Sequence, residues 1–170
     1  MSDLTLIMLA RVIHVMTGVT WAGATFVLAM VVVPLFTQHG SDGAGRWLAL
    51  VARRAGMLTG ISALLTVLSG IYLFATLHQH DDSAGGLMLK AGAAAALLAL
   101  AVGLFIGRPA GLSLERLQAA NMAGTAPGPD VAREFGALRL RAAVSSQVVA
   151  GLLGIAVVAM AVFRYASAVI

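Results

Sequence analysis

The sequence predicts an all-α fold: one integral membrane domain of four helices over 1–170, with both termini on the outer side. Three observations lead there. Of the 170 residues 60% are hydrophobic and only 11% charged, where a soluble domain is nearer half apolar and about a quarter charged. Mean hydropathy is +0.95. Four apolar stretches, at about 10–36, 55–77, 87–107 and 142–164, each approach the ~20 residues that cross a bilayer.

Lys and Arg concentrate in cytoplasmic loops. Arg46, Arg53 and Arg54 lie between the first and second stretches, and Arg108, Arg116, Arg133, Arg139 and Arg141 between the third and fourth. The short connection between the second and third carries Asp81 and Asp82, with Lys90 at its edge. That distribution puts both termini outside. The net charge of +4 is therefore read as a topology signal and not as a nucleic-acid footprint.

The first stretch is LARVIHVMTGVTWAGATFVLAMVVVPLF. Nothing basic precedes it and it is longer than a signal-peptide core, so it reads as a retained membrane helix. Arg11, His14, Trp21 and Gly23 interrupt it. A titratable group in hydrocarbon costs several kcal/mol and usually faces a bundle interior. On a helix, His14, Gly18, Trp21 and Thr25 share one face. Gly18, one turn from His14, is expected to leave room for something flat beside the imidazole, such as a haem or a metal complex.

Ahead of the second stretch, GRWLALVARRAG is helical and basic and should continue straight into the span. DVAREFGALRLRAA should do the same for the fourth, with Asp130 capping its start after Pro129. A short helix over Leu112–Asn121 is expected before the break TAPGPD. Arg46–Arg54 and Arg133–Arg141 have equal spacing, so the two hairpins can be read as a parallel repeat. Gly56 with Gly60, Gly103 with Gly107, and Gly151 beside Gly154 have the spacing of close helix crossings. Thr59, Ser62, Thr66 and Ser69 on the second span, with Ser145, Ser146 and Gln147 on the fourth, read as interhelical hydrogen-bonding groups or as a polar path.

Polar groups gather at the outer ends of the spans. Arg11 and His14 come from the first, Tyr72, His78 and His80 from the second, Met88 and Lys90 from the third, Arg164 and Tyr165 from the fourth. Arg164 and Tyr165 fit snorkelling and an aromatic belt. Arg11 and Lys90 fit snorkelling equally, or a cradle for an anion such as a haem propionate, unless Asp81 and Asp82 neutralise them. His14 is a candidate ligand of haem or a metal. A second ligand would be His78, Met88 or water, because the third and fourth spans contain no histidine and His39 falls at the opposite side. The eight methionines admit Cu(I), although methionine also fills apolar helices. With no cysteine, disulfides, thiolate ligands and iron–sulfur clusters are excluded. No phosphate-binding loop, catalytic triad or acidic pair is present.

The order His14, six residues, Trp21, one residue, Gly23, then an apolar run to Pro34 resembles the CopD-like superfamily of bacterial membrane proteins. That group includes copper-resistance D proteins and HemJ-type protoporphyrinogen oxidases. ARRAGMLTGISALLTVLSGIYLF, with its late glycine, and the lysine of LMLKAG extend the likeness over about two thirds of the chain. The resemblance implies that His14 matches a haem-ligand candidate and Lys90 a lysine that opens the third helix. Met88 stands where the HemJ type has a histidine, so a haem b or copper site carries over and a specific reaction does not. The expectation is a multi-pass protein of the bacterial inner membrane. It would bind haem b or copper near its outer face through His14, with Arg11, Lys90 and Trp21 around the cofactor and Met88 or His78 as further metal ligands, for electron transfer or metal handling. The alternative is a non-catalytic accessory subunit packed against a larger membrane complex or a second copy.

Overall fold

The computed structural model describes residues 3–35, 43–122 and 129–169, and the regular structure among them is helical throughout. Helix α1 spans Asp3–Val27 and runs into a π turn at Leu28–Val32. Helix α2 spans Gly43–Leu77, α3 Ala84–Val102, α4 Arg108–Met122 and α5 Pro129–Val169, with a second π turn at Gly103–Gly107 joining α3 to α4. His39 and most of the TAPGPD break lie outside the described residues.

Both basic segments continue into their membrane helices as expected, giving α2 35 and α5 41 residues. The expected separate helix at Leu112–Asn121 is instead the end of one continuous helical run from Ala84 to Met122. Pro129 is the first helical residue of α5, so Asp130 sits in its first turn, where a carboxylate faces the positive end of the helix dipole. It is not the residue before the helix.

The π turns have a common cause. Val33 N–H bonds the Leu28 carbonyl and Arg108 N–H bonds the Gly103 carbonyl. The next residue in each case is a proline, Pro34 or Pro109. Proline brings no N–H to the carbonyl four residues back, and its ring crowds that carbonyl. Widening the preceding turn relieves the crowding without ending the helix.

Helix α1 packs mainly on α2, and α3 mainly on α5; α5 also meets α1, while α2 touches α3 only slightly. His14 of α1 lies against Gly70 of α2, and Gly92 of α3 against Ala159 of α5, so Asp3, Leu77, Ala84 and Val169 share one end. The opposite end holds the helical segments that carry eight of the eleven basic residues, and the positive-inside bias expects that end to be the inner one. At the centre Trp21 and Ala22 of α1 meet Ala63 of α2, Ala99 of α3, and Val149 and Leu153 of α5. Small residues on three helices leave the space that the Trp21 indole fills.

Outside this centre the chain buries little of itself. Only 17–28% of the most apolar window of each span is covered by protein. Val19, Ile61, Leu98 and Val158 are among many large apolar side chains left exposed along the four helices. In water such a surface would aggregate; in hydrocarbon it is the solvated face. Four helices are long and apolar enough to cross a membrane.

The glycines divide sharply. A Cβ on Gly92 would stand 3.0 Å from Ala159 Cβ and 3.3 Å from the Ala156 carbonyl oxygen, and one on Gly107 3.3 Å from Ser145 Oγ. Gly154 meets the Phe26 ring at 3.4 Å. Gly56, Gly60, Gly103 and Gly151 have nothing within 4 Å, which corrects the expectation that these four sit at close crossings. The spacing marks a face able to approach another helix, and on these residues no helix of the same chain uses it.

Orientation is directly testable. A phosphatase reporter fused after Ile170 is expected to be active, with a cytoplasm-only reporter silent at the same place. The reverse pattern would invert the topology.

Candidate functional site at the outer end

His14 is half-buried on the face of α1 that meets α2. Its Nδ1 lies 2.8 Å from the Thr66 carbonyl oxygen. A carbonyl only accepts, so Nδ1 is the nitrogen that carries a proton to it and Nε2 is the one left turned away from that bond. Ser69 Oγ, 3.4 Å from the same Nδ1, donates instead to the Leu65 carbonyl at 2.6 Å.

The imidazole reaches that carbonyl because of Gly70. A Cβ there would lie 2.8 Å from His14 Cε1 and 3.1 Å from Nδ1. Gly18 plays a different part from the one expected: a Cβ on it would meet Thr66 Cγ2 at 3.6 Å. On that side Gly18 faces a threonine of the neighbouring helix. Gly70→Ala should push the ring off Thr66, seen as a shifted imidazole nitrogen resonance, while helix content is kept. An unshifted resonance would refute the role given to Gly70.

Below His14 the polar contacts continue for one turn. Thr66 Oγ1 lies 2.8 Å from Thr17 Oγ1 and 2.7 Å from the Ser62 carbonyl, so one proton is shared between a cross-helix and an own-helix acceptor. Thr17 in turn donates to the Ile13 carbonyl. Ser145 and Ser146 bond carbonyls of their own helix, at Ala142 and Ala143. These hydroxyls act as interhelical and intrahelical hydrogen-bonding groups, and among the described residues their bonds do not join into a path through the bundle.

The other predicted site residues are placed as follows. Arg11 is exposed one turn outward of His14. Trp21 is buried in the central core, two turns inward. Lys90 Nζ pairs with Asp82 Oδ1 at 2.7 Å, the neutralisation weighed above. His78 stands edge-on to the Phe163 ring, with centroids 5.8 Å apart. It lies eight residues past Gly70, about 12 Å further along α2 at ~1.5 Å per residue. Met88 is half-buried on α3, a helix whose main partner is α5 and not α1. Neither Met88 nor His78 has a hydrogen bond or ring contact with His14 among the described residues, and no group of three His, Asp, Glu or Cys able to hold a metal occurs among them. The sequence marked Thr66 as an interhelical hydrogen-bonding group, which its hydroxyl is, but not as the carbonyl behind His14; for Gly70 the late glycine of the second span was the available signal.

The outer loop is tightly built. Asp81 Oδ1 accepts from Ser83 Oγ at 2.6 Å and from Ser83 N at 3.1 Å, while Ser83 Oγ accepts from Gly86 N and so caps α3. A Cβ on Gly86 would lie 2.7 Å from Asp81 Cγ, so the loop closes only on glycine. The Ser83 hydroxyl first, then its N–H, then the His78 and Lys90 charges hold Asp81 below its ordinary 3.8. A depressed carboxylate stabilises the fold above its unfolded value and loses that effect as pH falls through the lower folded value. Ser83→Ala should return the Asp81 titration toward 3.8, read by carboxyl NMR. A titration unmoved by that change would contradict the assignment.

No family model, curated protein or solved structure matches the chain in comparison with known proteins.

Proposed function

We propose that this chain is a CopD-like protein of a bacterial inner membrane that binds haem b or copper near its outer face through His14, for electron transfer or metal handling. One observation carries the reading. The Nδ1–H bond to the Thr66 carbonyl fixes tautomer and ring plane and leaves Nε2 as a donor, which is how metal-binding histidines are held from behind. The residues present would offer one ligand nitrogen, that of His14, at an open place on the bundle and not an enclosed pocket, with Thr66 against the Gly18 side. Bound there, haem or copper would supply a one-electron couple. Arg11, three residues from His14 and on the same side of α1, offers a cation to an anionic group such as a propionate. Lys90 is committed to Asp82 and tunes charge at the rim. The second ligand then comes from water, a second copy or a partner protein.

An absorption spectrum and metal analysis of the purified chain test this. A Soret band or stoichiometric copper supports it; neither, even after reconstitution, overturns it. The second reading, a non-catalytic accessory subunit of a larger membrane complex, is favoured by the open face at Gly56 and Gly60. It expects a colourless chain that is unstable alone.

A further inference from the structure

We propose that the cleft between the start of α4 and the facing part of α5 is a binding site for one anionic phospholipid of the inner leaflet. The cleft measures about 330 Å³, with Phe105, Ile106, Pro109 and Leu138 as apolar lining and Ser113 and Arg141 as its polar groups. It straddles the boundary of the membrane. Arg108 follows directly after the π turn that ends the third span, and Arg141 is the last residue before the fourth apolar stretch. Phe105 is 80% exposed one turn deeper, at the level of acyl chains.

Charge selects the class of occupant. Outer-end Arg11, Lys90 and Arg164 are balanced by Asp3, Asp81 and Asp82, so the whole net charge of +4 resides at the inner end. Arg141 is exposed, and no carboxylate lies within 4.0 Å of it among the described residues. Lys90 and Arg133, by contrast, have acidic neighbours. An uncompensated guanidinium above an apolar floor matches a phosphate head joined to a hydrocarbon chain. A free anion would leave Phe105 and Ile106 uncovered.

Native mass spectrometry of the full chain released from nanodiscs of mixed phosphatidylglycerol and phosphatidylcholine tests the proposal. Wild type should retain one phosphatidylglycerol in preference to phosphatidylcholine. Arg141→Gln should lower that preference about fivefold, the effect of one basic residue at a membrane surface. Ser113→Leu, which fills the cleft and keeps the charge, should lower it too. Arg53→Gln, removing an equally exposed inner-end cation on α2, should not. An equal loss with Arg53→Gln would show diffuse attraction and overturn the site. Displacement of the lipid by inorganic phosphate alone would overturn the lipid assignment in favour of a simple anion site. Circular dichroism confirms that each variant keeps its helices.

Discussion

Replacing His14 with alanine should abolish binding of haem or copper while leaving the bundle folded. The two effects separate because they differ in size. Binding loses the imidazole nitrogen proposed to hold the ligand, so retention of the ligand should fall to background. Folding loses one interhelical hydrogen bond, that of Nδ1 to Thr66 at 2.8 Å, and such bonds in membrane helices contribute on average about 0.6 kcal/mol and at most about 1.7. Alanine keeps α1 apolar and helical. Lys90→Ala should act more mildly, since it removes a rim charge already neutralised by Asp82. The measurement is haem absorbance and copper content per chain alongside thermal unfolding in detergent. If the variant keeps its bound species, His14 is not the ligand. If it unfolds and the wild type holds nothing, His14 serves only to join α1 to α2.

Gly92→Leu should be the most damaging of the substitutions at Gly92, Gly103 and Gly107, lowering stability by about 3 kcal/mol, the upper part of the usual range for overpacking. The added Cβ alone meets Ala159 Cβ at 3.0 Å and the Ala156 carbonyl at 3.3 Å. Neither can rotate away: one is a methyl fixed to the backbone and the other is the backbone. The helices α3 and α5 would have to part along the most extensive contact in the molecule. Gly107→Leu should cost less, because its first obstacle is the rotatable hydroxyl of Ser145. Gly103→Leu should be neutral, with nothing within 4 Å. Unfolding midpoints of the three variants in detergent give the order. A Gly103→Leu variant as unstable as Gly92→Leu would mean that the Gly103 face is occupied in the folded protein.

Several elements were legible before any coordinates. The four spans, the continuous basic extensions of α2 and α5, and the inward face of His14, Gly18, Trp21 and Thr25 all follow from hydrophobic period and length. These are local properties, fixed by whether a segment is soluble in lipid and by the ~3.6-residue turn of a helix. The surroundings of His14 were not legible. Gly18, on the same helix, was the neighbour visible in sequence; Gly70, fifty-six positions later, is the one that admits the ring. Likewise Gly56 and Gly60 have the same spacing as Gly103 and Gly107, yet only Gly107 has a helix against it.

What the sequence by itself determined is the class: a lipid-soluble four-helix chain, oriented by its arginines, with a costly histidine near one end. Hydropathy sums over a segment and needs no neighbour, so one dimension suffices. What only the tertiary structure decided is pairing: Thr66 and Gly70 behind His14, Asp82 on Lys90, Ala159 on Gly92, and Phe163 against His78. In a membrane every apolar face is equally content against lipid, so hydrophobicity cannot choose which faces meet. That choice falls to close packing and a few hydrogen bonds, which depend on the relative rotation and depth of two helices and are not encoded in the spacing of either one alone.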